Sequence, residues 1–386
     1  MPGVSFSDNG GMTSASHSSD SAEPFEGLRI RGVAKTFGTD TTVLNEIDLD
    51  VHPGELISLV GSSGTGKSTL LRIIAGLEEP SAGRVTYAGQ PLERGSVGVV
   101  FQRPILYPHL SVKDNILFPT RLGAFAGRVD MDYCRELLEA LKLEGLESRK
   151  PSQLSGGQAQ RVGIARALIR RAPVVLFDEP LASVDEEMSA SIRADIVRLH
   201  ERYGFTSLYV THDQNEALML GQRVAVMDTG YLVQVDTPER LLAHPHTLQV
   251  AKLLAAPALN LLALEDSEFL PAGCELAIRA TALHPVAADA AHVLPAQVLG
   301  SRHLVGGMLY RGRLLEAVSL PLKPQRASTD SELSARMYAR VRAGQELEFF
   351  IPDAQGGASL SVGDRVHLGV AAERCFLFSE GKRFYL

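Results

Sequence analysis

Short, almost wholly apolar runs punctuate the first part of the chain. Leu56-Ile57-Ser58-Leu59-Val60 and Val174-Val175-Leu176-Phe177 carry no polar alternation, as expected of strands covered on both faces. After the first run, Leu70, Ile73, Ile74 and Leu77 recur at helical spacing and predict a helix with one apolar face turned to a sheet. From Leu28 to about Leu242 such runs alternate with helical patterns, which predicts an α/β domain around a largely parallel sheet. Between about Pro104 and Pro151 the pattern turns helical, most clearly over Tyr133 to Leu143, and predicts an inserted helical subdomain; another helix is predicted over Ala159 to Arg170.

The periodicity changes after roughly Ala256. Short strand-like pieces such as Glu275 to Arg279 and Arg365 to Val370 are separated by Gly, Pro and polar turns, which predicts a second, all-β domain. Asp330 to Arg342 interrupts it with a helical or loop-like stretch. At the other end, Met1 to Glu26 is rich in Ser, Gly and Asp and poor in large apolar side chains, so it reads as a disordered tail. The chain thus divides into residues 1–26, 27–245 (with the helical subdomain at about 103–160) and 246–386.

Composition narrows the partners. A net charge of -7 with 22% charged residues argues against nucleic acid, which demands a concentrated basic face. Cys134, Cys274 and Cys375 are scattered, an arrangement that fits a reducing compartment better than a disulfide framework or a zinc site. No apolar run approaches the roughly 20 residues that span a bilayer, and no basic stretch leading into an apolar core marks a secretory signal. Work at a membrane would therefore go through a partner.

Three segments carry chemistry. Gly61-Ser62-Ser63-Gly64-Thr65-Gly66-Lys67-Ser68 fits G-x-x-x-x-G-K-[ST], between a buried strand and an amphipathic helix. Its glycines let backbone N–H groups face phosphate oxygens at a helix start, with Lys67 reaching the β- and γ-phosphates and Ser68 holding Mg²⁺. Val174 to Phe177 runs into Asp178-Glu179-Pro180. Adjacent carboxylates at a buried strand end are costly unless a metal or a proton transfer uses them, so Asp178 is assigned to the Mg²⁺ shell and Glu179 to the general base. Leu154-Ser155-Gly156-Gly157-Gln158 offers a hydroxyl and free N–H groups at a helix start, either as a second anion site or as an ordinary cap.

In this order, the motifs resemble the nucleotide-binding subunit of an ATP-binding cassette (ABC) transporter over about Leu28 to Leu242. The resemblance implies a P-loop NTPase fold, with a RecA-like core, an antiparallel β subdomain and the inserted helical subdomain. It implies ATP and Mg²⁺ held between two head-to-tail copies, with Thr69 joining the loop's contacts and Ser155, Gly156, Gly157 and Gln158 acting on the partner's nucleotide. Phe37 sits where the family stacks an aromatic on adenine. Gln102, in Val99-Val100-Phe101-Gln102, matches the glutamine that contacts Mg²⁺ or water and links to the membrane subunit. Asp185, in Leu181-Ala182-Ser183-Val184-Asp185, matches the aspartate of the interface loop, although Ala182 and Val184 depart from its usual wording. Within Thr211-His212-Asp213-Gln214-Asn215-Glu216-Ala217, His212 matches the switch histidine that contacts the γ-phosphate and orients Glu179 and the water.

Importer ATPases for sugars, polyamines, iron or sulfate often carry an OB-like β domain. Ala256 to Asn260 and Ile278 to Thr281 loosely resemble its opening segments, which implies a regulatory or dimerising role. The leading expectation is an importer's energy-coupling ATPase, acting with a separate transmembrane permease, a second copy of itself and, indirectly, a solute-binding protein. It would sit at the cytoplasmic face of the membrane. A soluble non-transport cassette ATPase and a solute-sensing regulatory ATPase are the alternatives.

Overall fold

A computed structural model describes residues 25–121, 130–265, 270–290, 293–321, 338–353 and 359–384. Strands β1 (Leu28–Phe37), β2 (Thr41–Val51), β3 (Leu56–Val60), β4 (Ala82–Tyr87), β5 (Gln90–Pro91) and β6 (Gly98–Val100) come first. They are followed by β7 (Val174–Asp178), β8 (Thr206–Thr211), β9 (Arg223–Asp228) and β10 (Tyr231–Asp236). A six-stranded sheet has the order β10-β9-β3-β8-β7-β6 and a four-stranded sheet the order β2-β1-β4-β5. In the larger sheet β3, β6, β7, β8 and β9 run parallel, and only β10 is antiparallel.

The unbroken apolar strands follow from this layering. Leu56, Val175, Phe177 and Tyr209 face a helical layer, whereas Ile57, Leu59, Val174, Leu176, Leu208 and Val210 face the antiparallel sheet and the first helix. Successive side chains point to opposite faces, and both faces are covered, so charged residues stand only at strand ends. Helices α1 (Lys67–Ile74), α2 (Val112–Leu117), α3 (Met131–Ala140), α4 (Gly156–Leu168) and α5 (Glu186–Tyr203) lie within the same region. Three more follow, α6 (Gln214–Leu220), α7 (Pro238–Ala243) and α8 (Leu248–Leu253).

Several boundaries differ from the sequence reading for local reasons. The helix expected from Ala159 starts at Gly156, because Ser155 and Gln158 form a reciprocal cap, and it ends at Leu168. The helix expected over Tyr133 to Leu143 is capped earlier by Asp130, whose side chain accepts from the Tyr133 N–H at 2.9 Å. Leu77 does not face the sheet. The chain turns at Gly76 (φ 67°), leaving Leu77 49% exposed. Of the expected N-terminal tail, residues 1–24 lie outside the described residues, and Phe25 stacks edge-on against His52 at 5.5 Å.

Beyond α8 the regular elements among the described residues are strands joined by turns and short 3-10 segments. Leu259–Ala263, Glu275–Arg279, Cys375–Ser379 and Lys382–Phe384 form one sheet, in that order. His284–Pro285, Arg365–Gly369, Val293–Leu304, Gly307–Leu314 and Glu346–Pro352 form a five-stranded one. Their inward side chains, among them Leu276, Leu294, Tyr310, Phe349 and Leu368, make a separate apolar cluster. The stretch expected to be helical or loop-like from Asp330 is corrected where it is described. Tyr338–Val341 is a strand paired with Val318–Pro321, with Ala339 and Val341 buried; residues 330–337 lie outside the described residues.

Candidate nucleotide-binding site

The parallel strands of the large sheet deliver their C-terminal ends to one edge, the usual place for a ligand crevice in an open α/β sheet. At the end of β3 the chain enters Gly61–Ser68. A Cβ on Gly61 would lie 2.2 Å from the Met227 carbonyl oxygen, so only glycine fits against β9. Gly66, the cap of α1, has φ 98° and packs so closely on β2 that a Cβ would lie 2.7 Å from Leu44 Cδ2. Ser62, Ser63 and Gly64 stay exposed between these two anchors, with Thr65 turned inward to donate to the Ser62 carbonyl at 3.0 Å. The result is an open cradle of main-chain N–H groups at a helix start.

Lys67 is buried, and its Nζ donates to the carbonyls of Gly61 (2.7 Å) and Ser62 (2.8 Å). Burial pulls its pKa down, against the pull of the nearby Glu179 and Asp178 carboxylates. Ser68 Oγ donates to Asp178 Oδ1 at 3.1 Å, joining the loop to the end of β7. Burial pushes the Asp178 carboxyl above its ordinary range and Glu179 adds to this, while Ser68, Arg72 and Lys67 oppose it. Thr69 follows in the first turn of α1.

Glu179 leaves the strand abruptly. Its φ is 46°, a left-handed conformation costing a non-glycine residue about 1–3 kcal/mol, and its N–H donates to the Val210 carbonyl of β8 at 2.9 Å. That turn brings Glu179 Oε2 to 3.0 Å from His212 Nδ1, just beyond β8. The loop carrying His212 is itself tied down. Thr211 Oγ1 donates to the buried Glu216 carboxylate and accepts from the Asp213 N–H at 3.0 Å, while Asp213 caps α6. The sequence reading placed Thr211, Asp213 and Glu216 in the stretch around His212 without a role of their own; the Asp-x-x-Glu capping spacing is a signal for Asp213 and Glu216.

Other candidates frame this centre. Gln102 is exposed two positions beyond β6, the neighbour of β7, and the Phe101 carbonyl beside it accepts from Gln160 Nε2 of α4 at 3.2 Å. Phe37 ends β1, 43% exposed, with Lys35 Nζ 4.9 Å from its ring centre. Its sheet is the one against which Gly66 packs. Ser155 and Gly156 are exposed, and Gly157 is buried against Met188. Asp185 caps α5, accepting from the Met188 N–H at 2.9 Å. Among the described residues, neither Ser155–Gln158 nor Asp185 is hydrogen-bonded to Gly61–Ser68, Asp178 or Glu179. The fold therefore gathers Lys67, Ser68, Asp178, Glu179 and His212 and leaves Ser155, Gly156 and Asp185 exposed.

A phosphate loop between a parallel strand and its helix, with two carboxylates ending an adjoining strand, defines a P-loop nucleotide-triphosphate-binding protein. The ABC transporter family model matches residues 44–182. The chain is 46% identical over 241 residues to the sn-glycerol-3-phosphate import ATP-binding protein UgpC 1 of Rhizobium johnstonii, covering 61% of this chain and 65% of that one. It is 42% identical over 266 residues to UgpC of Salmonella typhi, covering 66% and 74%. Among solved structures, cbiO1 of Clostridium perfringens, part of the ABC transporter complex cbiONQ, aligns with a TM-score of 0.52 at 27% identity over 57% of this chain and 92% of that one. The chain belongs to the ATP-binding subunits of ABC transporters.

Proposed function

We propose that this chain is the ATP-hydrolysing, energy-coupling subunit of a binding-protein-dependent importer. ATP is held on Gly61–Thr69 of one copy, with Phe37 on adenine, and covered by Ser155, Gly156, Gly157, Gln158 and Asp185 of a second copy placed head to tail. The observation that carries this reading is the division of the motifs. Lys67, Ser68, Asp178, Glu179 and His212 converge on one sheet edge. Ser155 and Asp185 are exposed and, among the described residues, hydrogen-bond only within the starts of their own helices.

In this reading Glu179 accepts a proton from the water that attacks the γ-phosphorus, and the bond from that phosphorus to the bridging oxygen breaks to release ADP and phosphate. His212, 3.0 Å from Glu179, orients the base and the water. Ser68 Oγ and Asp178 Oδ1, 3.1 Å apart, and the Gln102 amide are hard oxygen donors of the kind Mg²⁺ takes. Bound there, Mg²⁺ would neutralise charge on the phosphate oxygens. Lys67 and the loop N–H groups hold the β- and γ-phosphates, and closure of the dimer excludes bulk water.

Among the described residues no helix is long and apolar enough to cross a membrane. In this reading transport runs through separate permease subunits, which would hold the chain at the cytoplasmic face. The strand-rich region, residues 246–386, is read as a regulatory or dimerising domain. Ser155→Arg tests the sandwich: nucleotide should still bind, while ATP-dependent dimerisation, followed by sedimentation, should be lost. A Ser155→Arg chain that still dimerises with ATP overturns the head-to-tail reading. Stimulation of the reconstituted ATPase by a loaded solute-binding protein, tried first with sn-glycerol 3-phosphate, tests the importer assignment.

A further inference from the structure

Two segments that the sandwich reading sends to the partner's nucleotide, Ser155–Gln158 and Asp185, sit on different helices, separated in sequence by the whole of β7. They do not behave as independent loops. Gly157 of α4 lies directly on Met188 of α5, where an added Cβ would be 2.5 Å from Met188 Cγ and 2.7 Å from its sulfur. Met188 in turn gives its N–H to Asp185. One turn further along α4, Arg161 reaches across to α5, donating from Nη2 to Ser191 Oγ, one turn beyond Met188, at 2.8 Å and lying 2.9 Å from Asp195 Oδ2, two turns beyond Met188.

Asp195 is fully buried, and Arg161 is 8% exposed. The aligned hydrogen bond of Arg161 goes to Ser191; its contact with Asp195 is ionic, and Asp195 is also flanked by Arg198 and by Lys142 Nζ at 3.5 Å. Arg198 Nη2 donates a hydrogen bond to Asp195 Oδ1, and removing one partner of a buried ion pair is strongly destabilising because it leaves charge uncompensated. Among the described residues none of these groups is bonded to the Gly61–Ser68 loop, Asp178 or Glu179, so they have no part in holding a nucleotide within their own copy.

We propose that Arg161 and Asp195 are positioning residues that join α4 and α5 into one rigid plate, so that Ser155–Gln158 and Asp185 meet the partner's nucleotide at a fixed spacing. This rests on the head-to-tail reading. Opening the Arg161–Asp195 contact would let the two segments arrive separately, each losing orientation, while the copy's own phosphate loop stays intact.

The test uses the full chain with Glu179→Gln to suppress turnover. ATP-dependent dimerisation is followed by sedimentation velocity, and ADP affinity, which needs no partner, by calorimetry. Adding Asp195→Asn should weaken dimerisation roughly 5- to 150-fold, the usual range of coupling between two sites, and leave ADP affinity unchanged. Asp195→Glu should restore most of the loss. Arg161→Lys keeps a cation opposite Asp195 but gives up the Ser191 bond; it should fall between, and it stands in if Asp195→Asn does not fold. Full dimerisation in Asp195→Asn or Arg161→Lys overturns the proposal, as does ADP affinity falling in parallel, which would mark a general structural role. If the Glu179→Gln parent stays monomeric with ATP, the sandwich itself falls and this proposal with it.

Discussion

Around the parallel sheet, the buried lysine and arginine side chains lie near carboxylates. Lys67 lies under the field of Asp178 and Glu179, and Arg161 faces Asp195. In the strand-rich region the buried Arg279 lies over the ring of Phe376, 5.0 Å from its centre, and its Nη1 donates to the Leu242 carbonyl at 2.7 Å. Burial, with help from Arg374 and Arg383, pushes the Arg279 pKa down to about 10. The strands differ in the same sense. Those of the parallel sheet are buried on both faces, whereas Gly307–Leu314 and Tyr338–Val341 alternate buried and exposed positions. Charge set among carboxylates at strand ends can move protons and hold phosphate. Charge set over an aromatic ring at the junction with α7 can hold two bodies together but offers no base.

The sharpest way to break this contrast is Glu179→Gln. Turnover should fall roughly 10²–10⁴-fold, the scale of a positioned proton acceptor, with nucleotide affinity kept. Near-normal phosphate release would remove Glu179 from its role and with it the claim that the chemistry sits at the sheet edge.

Next in size is Phe376→Ala, which empties a position packed by Ala251, Ala277 and Phe378. Truncating a buried Phe costs about 3–5 kcal/mol. Denaturant unfolding should show that loss in the strand-rich region, while ADP affinity at the phosphate loop stays unchanged. A parallel fall in ADP affinity would show that the two regions are energetically one.

The smallest effect concerns Asp178. Burial raises its folded-state pKa, so its contribution to stability is fully present below the unfolded-state value, about 3.9, and is lost as pH rises through the folded value. At neutral pH the ionised carboxyl therefore works against the metal-free fold. Asp178→Asn, which keeps an acceptor for Ser68, should melt higher than the parent at neutral pH, and the gap should close on acidification. A gap that is constant with pH would show that Asp178 is not held above its ordinary range.

What was legible in the sequence was local. The phosphate loop is one contiguous segment whose glycines, lysine and serine act through main-chain geometry fixed over a single turn, so its pattern and its fold are nearly the same statement. The apolar strands were legible because covering both faces of a sheet removes polar residues from a short run. Tyr338–Val341 was misread because a strand is defined by its partner, and Val318–Pro321 is remote in sequence. Leu77 was misread because helical spacing continued on paper past the turn at Gly76.

The sequence alone thus determined the phosphate loop, the acidic strand end, the class of fold and the likeness to one family. Tertiary structure decided which residues meet. The 3.0 Å approach of Glu179 to His212 exists because β7 and β8 are neighbours and the chain accepts a left-handed turn at Glu179. The contact of Arg161 with Asp195 exists because α4 and α5 pack closely enough at Gly157 to exclude a Cβ. Both depend on distances between segments far apart in the chain, and close packing of the surrounding core sets those distances.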